Sequence, residues 1–309
     1  MQSSPLGSPA GNYFQVLSRG DAKWGGGRME YDPTKSALLH PERLPPLGPD
    51  QPWNDDAILA ECARLAYFRF ESDAAAGGVL RAALARFGYG DFASFSAPGS
   101  KPEFDAQAYA TSSPAKGALI AFRGTQANSF KDIAADAKFK PREWRGAGQV
   151  HAGFWESLAE ILPAIESWLD AVRPARLVVV GHSLGAAHAT LLAALRPEAA
   201  LVTFGSPRVG DETFVATFAG RSVRRYVDCL DIVARIPPLL FRHVPGLLAI
   251  DHRGVVHPGG LDDPLADRVA AVAAYLLHAL DPRNCLTRDL ADHAPINYVS
   301  ALLGIRSGP

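Results

Sequence analysis

Apolar residues in the middle of the chain follow two alternating rhythms. Short runs at Ala118 to Phe122, Leu177 to Val180, Leu201 to Phe204 and Val223 to Val227 have the length and apolar, often β-branched content of buried strands. Between them the spacing is helical. Phe154 to Val172 carries Leu158, Ile161, Leu162, Ile165, Trp168 and Leu169 at core spacing. Ala186 to Leu195 is Ala- and Leu-rich without Gly or Pro, and Asp211 to Phe218 predicts a shorter helix. Strands alternating with helices require right-handed crossovers, so the pattern predicts an α/β fold with a mostly parallel central sheet flanked by helices.

The flanks add less regular elements. Asn54 is placed to cap a helix reaching about Arg69, with Ile58, Leu59, Cys62, Leu65 and Ala66 on one face. Residues 239–256 predict one or two further strands. Pro264 to Leu280 predicts an amphipathic helix with Val269, Val272, Leu276 and Leu280 inward. Residues 73–100 mix helix formers with Gly and Ser and predict little. Residues 1–52 hold eight Pro and seven Gly, the composition of an irregular lead-in, which leaves 53–309 as a single domain.

Composition narrows the function classes. At 48% hydrophobic and 20% charged, the 309 residues suit a soluble globular protein. A net charge of −1 without blocks of like charge gives nucleic acid binding no electrostatic support. The three cysteines are far apart and show no metal-ligand spacing, so at most one disulfide is expected and a reduced compartment is the simpler assumption. The N-terminus lacks the apolar core of a signal peptide and no stretch reaches transmembrane length. The expectation is a cytoplasmic protein, with export by another route left open.

Candidate chemistry lies at residues 177–185, Leu-Val-Val-Val-Gly-His-Ser-Leu-Gly. A buried strand, a tight turn and a helix start would hold the Ser183 hydroxyl above the end of a parallel sheet, with Gly181 and Gly185 where side chains would clash. The helix N-terminus beneath favours an oxyanion. This is the nucleophile elbow of an α/β hydrolase, and it points to ester chemistry. A serine needs a base to take its proton, usually His oriented by a carboxylate, and in this fold the order is Ser, acid, His. Asp228 and Asp231 both end the strand at Val223 to Val227; the loop after Asp231 tilts the choice towards it without closing it. Of the histidines after the serine, His278 sits on a helix and His243 in a strand-like run, while His252 and His257 flank a Gly-rich turn. His293, in a loop before a final helix, fits the base best. His182, adjacent to the serine, reads as a packed structural residue. Oxyanion donors are the Leu184 N–H and the loop at Gly124 and Thr125.

Taken together, Ile120 to Thr125 (Ile-Ala-Phe-Arg-Gly-Thr), Val150 to Phe154 (Val-His-Ala-Gly-Phe), Gly181 to Gly185, Thr203 to Gly210 (Thr-Phe-Gly-Ser-Pro-Arg-Val-Gly), Asp231-Ile-Val, Ile236-Pro-Pro and Asp292-His293 resemble the class 3, fungal-type lipase family. The resemblance implies Ser183 as nucleophile, Asp231 as acid, His293 as base, and Thr125 with Leu184 as the oxyanion hole. It implies a serine ester hydrolase acting on acylglycerols or related lipid esters, with no metal or organic cofactor. Partners would be a small-molecule or lipid ester and, transiently, a lipid interface. A phospholipase, a feruloyl-type esterase or an acyltransferase could use the same machinery, and a non-catalytic lipase-like interaction module is the reading outside enzymes. In many members a helix after the oxyanion residue forms a lid. Here Gln126 to Lys140 carries only a modest apolar stripe at Phe130, Ile133, Ala134 and Ala137, so strong interfacial activation is not expected. Ala234 stands where the family often has Pro. Asp262 and Asp263 could bind a cation, but a solvated turn is the plainer reading.

Overall fold

The apolar runs become the middle strands of one sheet. The computed structural model describes residues 29–70, 72–96, 106–124, 140–237 and 240–308. In chain order its strands are β1 (Met29–Glu30), β2 (Ala93–Ser96), β3 (Gln107–Ser113), β4 (Gly117–Phe122), β5 (Pro141–Glu143), β6 (Gln149–His151), β7 (Leu177–His182), β8 (Ala200–Phe204), β9 (Val223–Asp228), β10 (Leu247–Ile250), β11 (Val256–Pro258) and β12 (Arg306–Ser307). Eight of them form the main sheet in the order β11-β10-β9-β8-β7-β4-β3-β2. β4, β7, β8, β9 and β10 run parallel, with antiparallel strands at both edges.

Alternation along β4 explains why such strands read as unbroken apolar runs. Leu119 and Ala121 enter one hydrophobic cluster, with the helices Asp55–Leu65 and Pro295–Leu302; Ala118, Ile120 and Phe122 enter the other, with the helices Ala152–Val172 and Leu184–Leu195. Helix starts follow the expected chemistry. Asn54 accepts from the Ala57 N–H at 2.9 Å and Asp211 from the Phe214 N–H at 2.8 Å, caps each contributing about 1 kcal/mol. Among the described residues, no helix is long and apolar enough to cross a membrane.

Within the stretch whose composition predicts an irregular lead-in, residues 29–47 carry regular structure that packs on the domain. β1 pairs in parallel with β12, and Met29, Tyr31, Ala37, Leu38 and Leu47 are buried. The fully buried Arg64 ties this segment down: its guanidinium donates to the carbonyls of Pro41, Leu44 and Pro45 and pairs with Glu61, whose carboxylate also accepts from the Leu47 N–H. A two-residue strand and a five-residue helix are too short to leave a periodic signature. The helix Ala74–Arg86 and the strands β2 and β3 likewise formed no pattern that could be read in advance.

One expectation is overturned. The helix predicted over Pro264 to Leu280 spans Pro264–Tyr275 and continues after a break as a 3-10 turn, His278–Leu280. Val269, Val272, Leu276 and Leu280 do not face inward; they are 53% to 78% exposed, and the residues that meet the body are Ala271 and Tyr275. Periodicity identified an apolar face, but carries no information about what covers it.

Candidate active site

The elbow is built from backbone. β7 ends at His182, Ser183 adopts φ 59° and ψ −131°, and the helix Leu184–Leu195 starts at the next residue. This positive φ is strained for a non-glycine residue. It is held because the Ser183 N–H donates to the Phe204 carbonyl at 3.0 Å and its carbonyl accepts from the Ala186 N–H at 2.9 Å. A Cβ on Gly181 would strike the Gly185 carbonyl, and one on Gly185 the Phe122 carbonyl, so both glycines are required for this turn. Ser183 is buried and its Oγ meets no hydrogen-bond partner among the described residues.

Asp231 and His293, 62 residues apart, meet near the C-terminal ends of the parallel strands β7 and β9. His293 Nδ1 lies 2.9 and 2.8 Å from the two oxygens of Asp231. Nδ1 therefore carries the proton and donates, which makes Nε2 the acceptor of the ring. Asp231 also accepts from the Val233 N–H at 2.8 Å and from the Tyr298 hydroxyl at 2.5 Å. Burial alone would push its pKa up; the charge of His293 and the hydrogen bonds from His293 and Tyr298 outweigh it and hold the carboxyl below its ordinary value. Gly205, at φ +56°, passes so close that a Cβ would lie 2.5 Å from Asp231 Oδ2 and 3.0 Å from His293 Nδ1. The glycine of the Thr-Phe-Gly-Ser-Pro stretch thus leaves room for the acid–base pair.

The other sequence candidate for the acid, Asp228, has a different task. Arg306 Nη1 reaches its Oδ2 at 2.7 Å, and its N–H donates to the Tyr298 hydroxyl. Asp292 completes this buried network. It accepts from the Tyr31 hydroxyl at 2.6 Å, from Arg288 Nε at 3.2 Å and from the Leu230 N–H at 2.9 Å. The residue before the base is thereby bonded to the residue before the acid.

Five other histidines have different surroundings. Burial and the neighbouring His293 keep His182 neutral. Its Nε2 donates to the His293 carbonyl at 2.9 Å, while Nδ1 accepts from the Tyr67 hydroxyl at 2.8 Å, making it a strut between elbow and base loop. His243 bonds the Ala234 carbonyl at 2.7 Å. His252 faces Asp267, and His257 lies 3.1 Å from Asp251. His188 is buried behind the elbow with neither ring nitrogen bonded among the described residues, and burial lowers its pKa to about 3.

Of the oxyanion candidates, Leu184 is the first residue of the elbow helix, where the N–H has no acceptor within the helix. Gly124, at the exit of β4, passes against the elbow: a Cβ there would lie 3.0 Å from Ser183 Cβ. Thr125 lies outside the described residues, as does the proposed lid segment from Gln126 as far as residue 139. Among the described residues no group of His, Cys, Asp and Glu is arranged to hold a metal. Asp263 instead caps the following helix, accepting from the Ala266 N–H at 2.9 Å. Tyr67, Tyr298, Tyr31 and Arg306 escaped sequence reasoning. A tyrosine among Ile296, Val299 and Leu302 is the available hint at Tyr298, because its buried hydroxyl needs a partner.

Comparison with known proteins sets part of the chain beside lipases. The model of the family described as Lipase (class 3) matches residues 119–241, a stretch that includes Ser183 and Asp231 and ends before His293. A lipase of Rhizopus niveus is 32% identical over 157 residues, covering 45% of this chain and 36% of that protein. The secreted mono- and diacylglycerol lipase 1 of Fusarium solani is 40% identical over 103 residues, covering 30% of this chain and 31% of that protein. The chain therefore spans about a third of the length of these curated relatives. The solved structure of lipase II from Rhizopus niveus aligns with 63% of this chain and 78% of that chain, at a TM-score of 0.50 and 28% identity. The sheet is that of an α/β hydrolase, and residues 119–241 are similar to the class 3 lipase family.

Proposed function

We propose that the protein is a serine ester hydrolase acting on lipid esters, with acylglycerols as the leading substrate class. The observation that carries this reading is the Asp231–His293 pair, locked at 2.8 Å at the C-terminal end of the parallel strands where the strained elbow presents Ser183. His293 Nε2 takes the Ser183 proton as Oγ attacks the ester carbonyl. The tetrahedral oxyanion is met by the Leu184 N–H and by a donor from Thr125, and by the positive end of the elbow helix. His293 then passes its proton to the leaving alcohol, and water repeats the cycle on the acyl-enzyme. Asp231 remains ionised throughout, consistent with its lowered pKa. The substrate class is supported by relatives named as lipases and as mono- and diacylglycerol lipases. Hydrolysis of p-nitrophenyl esters across acyl lengths, with Ser183→Ala beside the native chain, tests it. Serine-dependent release rising with acyl length supports a lipid esterase. Release that persists undiminished in Ser183→Ala would overturn the reading.

A further inference from the structure

Seven of the nine large exposed hydrophobic residues among the described residues lie in one stretch. Leu265, Val269, Val272, Leu276, Leu277 and Leu280 stand along the helix Pro264–Tyr275 and the turn behind it, with Leu286 beside them, at 53% to 80% exposure. Between Val269 and Leu277 every exposed residue is Val, Ala or Leu. A helix on a water-facing surface ordinarily shows the opposite pattern.

This face adjoins the active site. Asp267 on the buried side of the helix accepts from Cys229 Sγ at 2.9 Å and from His252. The same helix borders a groove of about 330 Å³, lined among others by Val272, Leu276, Leu286, Leu230 and Asp289. Leu230 directly precedes Asp231, and the Asp289 carbonyl accepts from the Ile232 N–H. Arg268 and Arg235 stand at the groove rim, and neither forms an ion pair among the described residues. Of the acidic residues nearby, Asp263 caps the helix and Asp267 holds the acid loop, while Asp289 lines the groove with its Oδ1 buried and without a partner among the described residues, set against the two guanidinium groups.

We propose that this face is the surface on which the protein seats on an anionic lipid membrane, the aliphatic side chains entering the acyl region and Arg268 and Arg235 meeting phosphate headgroups. A membrane fits better than a protein partner, because the large exposed hydrophobic residues of this face are, among the described residues, all Leu or Val with no aromatic anchor, flanked by guanidinium charge. The proposal rests on the ester-hydrolase reading for what it positions: a lipid seated here lies against the loop that carries Asp231.

Vesicle co-sedimentation of the full chain tests it, with Ser183→Ala present in every binding sample so that lipid is not consumed. The vesicles are pure phosphatidylcholine or equal parts phosphatidylcholine and phosphatidylglycerol. Adding Leu276→Glu with Leu277→Glu, both at exposed positions, is expected to lower partitioning about ten-fold or more. Adding Arg268→Gln with Arg235→Gln is expected to lower it only on vesicles containing phosphatidylglycerol. In the catalytic background, Leu276→Glu/Leu277→Glu is expected to leave hydrolysis of a short soluble ester unchanged, which also verifies folding. Partitioning unaffected by the leucine substitutions overturns the surface. So does a dimer that they dissociate in sedimentation without any vesicle binding, since the face then belongs to a second copy. Leucine-dependent vesicle binding by a chain that cleaves no soluble ester upholds the surface and overturns the hydrolase reading instead.

Discussion

The serine and its two partners are held by different kinds of structure. Ser183 is positioned by the backbone of its own turn, by two glycines within two residues of it, and by one hydrogen bond to the neighbouring strand. Asp231 and His293 are positioned by side chains drawn from the whole length of the chain. Tyr31 reaches Asp292 across 261 residues and Arg306 reaches Asp228 across 78, and Tyr298 bridges Asp228 and Asp231. One half of the site is thus a local conformation, and the other is a buried polar network joining both ends of the described chain. The first should lose chemistry without losing fold; the second should lose both together.

The sharpest way to break this contrast is Ser183→Ala. Loss of the nucleophile is expected to lower kcat by about 10⁴- to 10⁶-fold. Urea unfolding should show unchanged or slightly raised stability, because the hydroxyl removed is buried without a partner among the described residues. A large loss of stability in this variant would show that the elbow is not self-sufficient. Arg306→Met should behave in the opposite way. It leaves Asp228 with no guanidinium at hydrogen-bond distance, and breaking a buried pair in this manner costs about 3–5 kcal/mol. The same unfolding measurement checks it, and stability within about 0.5 kcal/mol of the native chain would remove the network from the account.

This contrast also explains what could be read from sequence. The elbow is nine consecutive residues whose strand, turn and helix preferences agree, so it was legible at once. The middle strands were legible because burial on both faces leaves continuous apolar runs. Asp228 and Asp231 could not be separated by local pattern, since what diverts Asp228 is an arginine near the other end of the chain. Residues 29–47 were hidden because their elements are short and their anchor, Arg64, lies in a helix whose apolar face gives no hint of a buried guanidinium. The spacing along the helix Pro264–Tyr275 marks an apolar face but not its burial, because hydrophobic spacing is the same whether protein or another phase covers it.

Gly205 lies where the two halves touch, and Gly205→Ala sharpens the boundary. The new methyl group would press on Asp231 Oδ2 and the His293 ring at a residue already in the left-handed region. The expected outcome is about a 10²-fold loss of kcat from displacement of the acid–base pair, with about 1–3 kcal/mol lost in stability. Steady-state kinetics on a soluble ester beside urea unfolding separates the two. Native kcat in a destabilised variant would mean that the glycine serves the backbone alone.

Tyr298→Phe is the mildest test and reaches the network through a single oxygen. Its hydroxyl donates to Asp231 and accepts from the Asp228 N–H, so its loss is expected to cost about 1.5–3 kcal/mol at neutral pH and a several-fold reduction in kcat. The pH dependence has a definite sign. Asp231 has a lowered pKa in the fold, partly through this donor, so the ionised carboxylate contributes stability that is present above the ordinary carboxylate value of about 3.9 and is lost as pH falls through the folded value. Without the hydroxyl, the folded and unfolded values move together and there is less to lose. The stability gap between native chain and variant should therefore be widest near neutrality and narrow as Asp231 takes up its proton. It should end at a remainder set by the hydrogen bond to the Asp228 N–H, which does not titrate. Urea unfolding of both proteins between neutral and acid pH measures the gap directly. A gap of constant size would mean that Tyr298 only packs, and that His293 and the Val233 N–H suffice to hold the acid.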